Sequence, residues 1–215
     1  MQGKKAGFII VVCFALSSLA LAQKNEFALS VGAVATSDQQ TTLLGITCPV
    51  GFPNCTGPFN TSTSTGIALE GVYTRRLFNF HIASVGVEFP ILGVPSRDVT
   101  TNRTPIGALP FTVSQWSLFF TPAVQIRFLP SGHISPFFSI GGGLAHYDDG
   151  SSSITRGALQ FGGGADFKTP LPHLAIRAEI RDFWARGFAE SSRFFAVSPE
   201  RLHNVFAGAG IVFKF

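Results

Sequence analysis

Charge is scarce in this sequence: 13% of the 215 residues are Asp, Glu, Lys or Arg, about half the share of an ordinary soluble domain. Methionine occurs once and tryptophan twice, and the helix-favouring Lys and Glu are few. No segment carries the apolar period of an amphipathic helix. After residue 22 no run of about 20 apolar residues occurs, which excludes a transmembrane helix. The five histidines, His81, His133, His146, His173 and His203, are scattered without metal-ligand spacing. Asp148-Asp149 before Gly150 offers too few oxygens for calcium. The glycine runs at 141–143 and 162–164 precede no helix, so they are not phosphate-cradling loops. What is abundant is phenylalanine and glycine, 23 of each, within 46% hydrophobic residues. That mix favours strands and close backbone packing, with much apolar surface to be hidden in a core or in lipid.

The first 22 residues read as a cleaved secretory signal peptide, leaving 23–215 as one domain. Lys4 and Lys5 supply a positive start, Gly7 to Ala20 an apolar stretch, and Ala20-Leu21-Ala22 an A-x-A site with cleavage expected after Ala22. Cys13 follows Val12 rather than a small residue, which argues against lipoprotein processing. Removing Lys4 and Lys5 lowers the formal net charge of +4 by two, and no nucleic-acid partner is expected. Cys48 and Cys55 remain, close together in ITCPVGFPNCTG. In an exported chain such a pair most often forms a disulfide. Free thiols or a metal site are the alternatives, though no second Cys or His pair stands nearby to complete zinc ligation.

From Asn25 onward, eight segments alternate apolar and polar residues: 25–36, 66–76, 80–94, 114–128, 135–147, 155–168, 173–184 and 203–215. About 9–11 residues suffice for a tilted strand crossing a bilayer. The connections alternate too. Residues 37–65, 95–113 and 185–202 are long, 148–154 is intermediate, and 77–79, 129–134 and 169–172 are short. A membrane barrel has this rhythm of long outer loops and short inner turns, and a soluble sandwich has no reason for it. In the seventh segment Leu174, Ile176, Ala178 and Ile180 oppose Arg177, Glu179 and Arg181; in the fourth, Trp116, Leu118, Phe120, Val124, Ile126 and Phe128 oppose Gln115, Ser117, Thr121, Gln125 and Arg127. The last segment, NVFAGAGIVFKF, places Val205, Ala207, Ala209, Ile211, Phe213 and Phe215 at every second position.

The signal peptide, the eight segments, the stretch R-A-E-I-R-D-F at 177–183 and the terminal Phe215 resemble the small OmpA/OmpX-type outer-membrane β-barrels. The resemblance implies an all-β fold, an eight-stranded antiparallel up-and-down transmembrane barrel in the bacterial outer membrane. It implies that Phe213 and Phe215 act as the signal read by the barrel-assembly machinery. With Phe215 last, the peptidoglycan-binding domain of larger relatives is not expected.

Eight strands leave an interior that side chains can fill. Glu70, Arg76, Glu88, Arg127, Asp166, Arg177, Glu179 and Arg181 are expected to face it, pair there and close it to ions. The glycine runs are expected to face bulky interior side chains across the lumen. Pro122 cannot donate to a ladder, so a bulge is expected there, with a milder disturbance at Pro90. No cofactor or catalytic centre is expected. His203, with Ser198 and Glu200 before it, lacks the His and Ser two residues apart on a strand that lipid A deacylases carry. Arg97, Arg103, Arg186, Arg193 and Arg201 are expected on the outer side, suited to lipopolysaccharide phosphates though diluted by Asp98, Glu190 and Glu200. Phe194 and Phe195 beside Arg193 form either a loop surface for an extracellular ligand or a pad packed on the rim. The leading expectation is a non-enzymatic structural or surface-interaction barrel with outer-membrane lipid, lipopolysaccharide and the assembly machinery as partners. A narrow passive porin-like channel and a lipid-modifying enzyme are the alternatives. A soluble lipocalin-type barrel would want an apolar interior and would turn Arg177, Glu179 and Arg181 outward.

Overall fold

A computed structural model describes residues 25–42, 58–103, 111–186 and 201–215. They form a closed, all-antiparallel, eight-stranded barrel. Its wall strands are β1 (Asn25–Thr36), β4 (Gly66–Asn79), β5 (Ala83–Arg103), the pair β6 (Phe111–Phe120) and β7 (Ala123–Phe128) acting as one, β8 (Ile134–Asp148), β9 (Ser153–Lys168), β10 (Leu174–Arg186) and β11 (Arg201–Lys214). Each pairs with its sequence neighbour, and β1 closes on β11 from Glu26–Lys214 to Thr36–Asn204. At the seam Asn25 N donates to Phe215 O at 2.7 Å and Phe215 N to Asn25 O at 2.8 Å. The end carrying Asn25 and Phe215 is called the terminal end below, and the opposite end the loop end.

The period-two pattern positions every side chain. Phe27, Leu29, Val31, Ile67, Leu69, Phe120, Ile140, Ile176, Ile180 and Phe213 are exposed on the outer wall, while their neighbours in sequence turn inward and are buried. An apolar belt around a polar interior inverts a soluble β-protein and excludes the lipocalin-type reading.

Three local features depart from expectation. First, the expected loop at 37–65 contains a hairpin, β2 (Gln39–Thr42) with β3 (Pro58–Thr63), and β3 pairs with the loop end of β5. Strand β5 therefore continues to Arg103, well past the expected 94. Second, Pro122 causes no bulge. Register continues unshifted across it, Glu88–Ala123 on one side and Ile91–Phe120 on the other. Pro90 lies in the same interval, so two residues without N–H share one gap in the ladder. Gly142 N donates to the Pro122 carbonyl at 3.1 Å. Third, a bulge occurs in β5 instead, where register against β6 shifts between Val94 and Arg97.

The glycine runs serve the neighbouring strand rather than the far side of the lumen. In register, Arg181 of β10 lies beside Gly162 of β9, and Glu179 lies between Gly164 of β9 and Gly208 of β11. A Cβ at Gly162 would meet Arg181 Cγ at 2.8 Å, and one at Gly164 would meet Glu179 Cβ at 2.9 Å as well as the Ala178 carbonyl oxygen. Glycine thus clears room beside long inward side chains. At the outer 149–152 turn, Asp148 Oδ1 accepts from Gly150 N at 2.7 Å and Asp149 Oδ1 accepts from Ser152 N at 2.7 Å and Ser151 N at 2.9 Å. These N–H groups of Ser152 and Ser151, with the Ser151 hydroxyl, hold the Asp149 carboxyl below the usual carboxylate range.

Gly164→Val is expected to destabilise the refolded barrel by about 3 kcal/mol through overpacking. Gly157→Val, at a site with nothing within 4 Å of a new Cβ, is expected to be neutral. Urea unfolding in lipid vesicles measures both, and equal midpoints for the two variants would show that interior room is not limiting.

Candidate functional site: the barrel lumen

Along β10 the inward residues run Arg177, Glu179, Arg181, Phe183, Ala185 from the terminal end toward the loop end. They trace the layers of the lumen. In the first layer Arg127 Nη1 donates to Glu26 Oε1 at 2.7 Å, and its Nη2 makes ion-pair contacts with Glu26 at 2.7 Å and Asp166 at 3.0 Å. Arg76 joins Glu26 at 2.6 Å, and Arg177 grips Asp166 through Nε at 2.8 Å and Nη2 at 3.2 Å. The guanidinium of Arg177 lies 4.5 Å from the Phe137 ring centroid. The result is a continuous chain, Arg76–Glu26–Arg127–Asp166–Arg177.

The second layer centres on Arg181, which touches three carboxylates: Glu88 at 2.6 Å, Glu179 at 2.9 Å and Glu70 at 3.2 Å. Ser30 Oγ donates to Glu179 at 2.6 Å. Gln125 ties the layers together, accepting from Arg127 Nη2 at 3.2 Å and donating to Glu88 at 2.9 Å. Glu70 is the poorly served member, since both its oxygens are buried with no hydrogen-bond partner beyond the ion pair.

Above the charges lies an apolar layer of Val34, Ala68, Leu92, Val94, Phe119, Phe183 and Phe206, all fully buried, with Tyr147 packed edge-on against Phe119 at 5.7 Å. Toward the loop end Arg97 and Asn204 close the stack, Arg97 Nη1 donating to Thr36 Oγ1 at 2.6 Å and Asn204 Oδ1 at 3.0 Å.

The eight charges expected in the lumen all lie there. Glu26, which bridges two arginines, was missed although it alternates with Phe27 and Leu29. The apolar layer was missed because inward and outward residues are both apolar there. Arg97 lies at the loop end as expected, but within β5 rather than in a loop, and it turns into the lumen and is 3% exposed, because the extra residue at Pro95–Ser96 resets the alternation of β5. Phe213 and Phe215 are exposed on the outer wall at the terminal end. Asp98 is exposed on β5, and Arg103, Arg186 and Arg201 end their strands at the loop end. Residues 1–24, Cys48, Cys55, Glu190, Arg193, Phe194, Phe195, Ser198 and Glu200 lie outside the described residues.

One feature of the outer wall bears on hydrolysis. His203 Nδ1 contacts Asp182 Oδ2 at 2.6 Å, and the ring stacks on Trp184 at 5.8 Å. A hydrolytic centre also needs a nucleophile on the imidazole. The hydroxyl beside it, Ser37 Oγ, accepts from the His203 backbone N–H at 3.1 Å.

The chain matches no protein-family model, and no curated protein matches it in sequence. Among solved structures it is similar to the outer membrane protein OprG from Pseudomonas aeruginosa, with 14% identity, 90% of this chain and 96% of that one covered, and a TM-score of 0.58. It is similar to Neisserial surface protein A, with 12% identity, 89% and 97% covered, and a TM-score of 0.51. The fold is that of the small OmpA/OmpX-type outer-membrane barrels. Both likenesses are of architecture, and the interior of this barrel is described by its own residues.

Glu88→Gln is expected to lower stability by about 3 kcal/mol, because it strips a buried arginine of its shortest ion pair. Glu70→Gln removes a carboxylate that crowds two others and accepts no hydrogen bond, so its effect is expected to stay under about 1 kcal/mol. Unfolding free energies of the two variants in vesicles decide this, and a larger loss for Glu70→Gln would reverse the assigned hierarchy.

Proposed function

We propose that this chain spans a bacterial outer membrane as a rigid, non-enzymatic barrel, closed to steady ion flow, whose function is carried by its outer loops. The observation that carries this reading is the filled lumen. Two layers of paired charges and one apolar layer occupy the interior in series. An ion would have to break buried pairs and then cross a dry apolar constriction, both costly.

The outward belt of Phe, Leu, Ile and Val matches a lipid surface, and every wall strand is long enough to cross it. In this orientation the terminal end faces the periplasm, and export follows from the leader at 1–22, cut after Ala22. Phe213 and Phe215 engage the assembly machinery. The loops at the other end include Cys48–Cys55 as a staple and Arg193, Phe194 and Phe195 as a contact surface. Arg103, Arg186, Arg193 and Arg201 suit lipopolysaccharide phosphates. The reading as a non-enzyme is supported by the Ser37 hydroxyl, which is bonded to a backbone amide rather than to the His203 imidazole.

Ion conductance of the refolded protein in a planar lipid bilayer tests the proposal. Insertion without steady current is the expected result. Stable channels would refute the closed lumen and make small-solute passage the function. Lipid A from cells with and without the protein is expected to give identical acylation by mass spectrometry, and a changed pattern would make it an enzyme.

A further inference from the structure

Of the four arginines buried among the described residues, Arg127, Arg177 and Arg181 pair with carboxylates and Arg97 pairs with none of the described ones. Its contacts are neutral: Thr36 Oγ1 at 2.6 Å, Asn204 Oδ1 at 3.0 Å, Gln115 Oε1 at 3.4 Å and the Tyr147 ring at 5.7 Å. Its Nε is buried with no hydrogen-bond partner among the described residues. A buried cation without a counter-charge is costly, and the rest of this lumen avoids that cost.

The wall beside Arg97 is interrupted. The ladder between β4 and β5 stops at Leu69–Gly93, and β3 takes over only at Thr63–Val99. Between them Ser64 N donates to Asp98 O, and Asp98 N donates to Ser64 Oγ, each at 2.8 Å. A cleft of about 520 Å³ opens there, and Arg97, Ser64, Thr65, Ser96 and Asp98 line it together with Ile67, which is 73% exposed on the apolar outer wall. Arg97, whose Nε has no hydrogen-bond partner among the described residues, thus borders one cleft together with hydroxyl-bearing neighbours and an apolar flank.

We propose that Arg97 and this cleft bind an anionic headgroup, phosphate or carboxylate, on an amphiphile whose chain lies along the Ile67 face. Guanidinium suits both anions through paired N–H donors. Asp98 borders the same cleft and opposes the anion, which makes it a second handle. The site goes beyond the closed-scaffold reading and requires only that the barrel insert into a bilayer.

The test uses the whole mature chain refolded into phosphatidylcholine vesicles, with insertion scored separately by heat-modifiable electrophoretic mobility. Failure to insert counts against the membrane-barrel reading, whereas failure of the inserted protein to bind counts against this site. Calorimetric titration, corrected with protein-free vesicles, uses dodecyl phosphate, dodecanoate and inorganic phosphate. Wild type is expected to bind at least one. Arg97→Gln is expected to weaken binding about tenfold or more, and Asp98→Asn to strengthen it about threefold. Binding of the amphiphiles alone identifies a membrane headgroup as the occupant, and comparable binding of inorganic phosphate identifies a free anion. An inserted wild type that binds none of the three overturns the proposal, as does an inserted Arg97→Gln that binds like wild type. Should Arg97→Gln fail to insert, Asp98→Asn decides, and unchanged affinity there overturns the site.

Discussion

Closure of β1 on β11 is the constraint from which the rest of the structure follows. In hydrocarbon an unpaired N–H or C=O costs several kcal/mol, so a sheet that enters it must have no edge. The seam bonds between Asn25 and Phe215 carry the ladder to the last residue. Eight strands close at a small radius, and an interior of that size must be filled by its own side chains. Filling and closure then compete for space. The competition is resolved by glycine at 162, 164 and 208, set beside the long side chains of β10. A chain with so many phenylalanines outside therefore needs its glycines inside.

Charge is the second consequence. With the apolar residues facing outward, alternation puts polar residues in the lumen. Carboxylates and guanidiniums there are tolerable only as pairs. The first layer satisfies this through the bidentate Arg177–Asp166 pair and through Arg127, which is bonded to Glu26 and in contact with Asp166. The second satisfies it unevenly, with three carboxylates around Arg181. Gln125 joins the layers, so breaking one pair loosens acceptors in the other. The apolar layer above works by a different principle, exclusion of water from a packed ring of Leu92, Phe119, Phe183 and Phe206. Two layers of unlike chemistry thus stand in series along the lumen.

Period-two alternation made strand number, facing and the ring of lumen charges legible, because polar and apolar residues separate on β7 and along β10 from Ile176 to Arg181. Glu26 was legible by the same rule and was overlooked beside Phe27. The rule loses power in two physical situations. Where both faces are apolar, as around Phe119 and Phe183, composition does not say which residue is interior, so the apolar layer stayed hidden. Where a strand gains a residue, alternation resets, and the inward turn of Arg97 at the loop end was not legible. Pro122 drew attention as a breaker and left register unchanged, while Pro95 marked the actual bulge. Hairpin β2–β3 sat inside what read as a loop, since Gln39–Thr42 and Pro58–Thr63 show no apolar period.

One extra residue in β5 turns Arg97 inward, into a position where its partners are amides, a hydroxyl and a ring. On its other side β5 keeps register with β4 and β3, and the ladder pauses between Gly93 and Val99. Arg97, which pairs with none of the described carboxylates, lies in that interval of β5. The other three arginines buried among the described residues each pair with a carboxylate. The bulge thus divides the barrel along its axis into a terminal-end part packed with paired charges and a loop-end rim where that pairing stops.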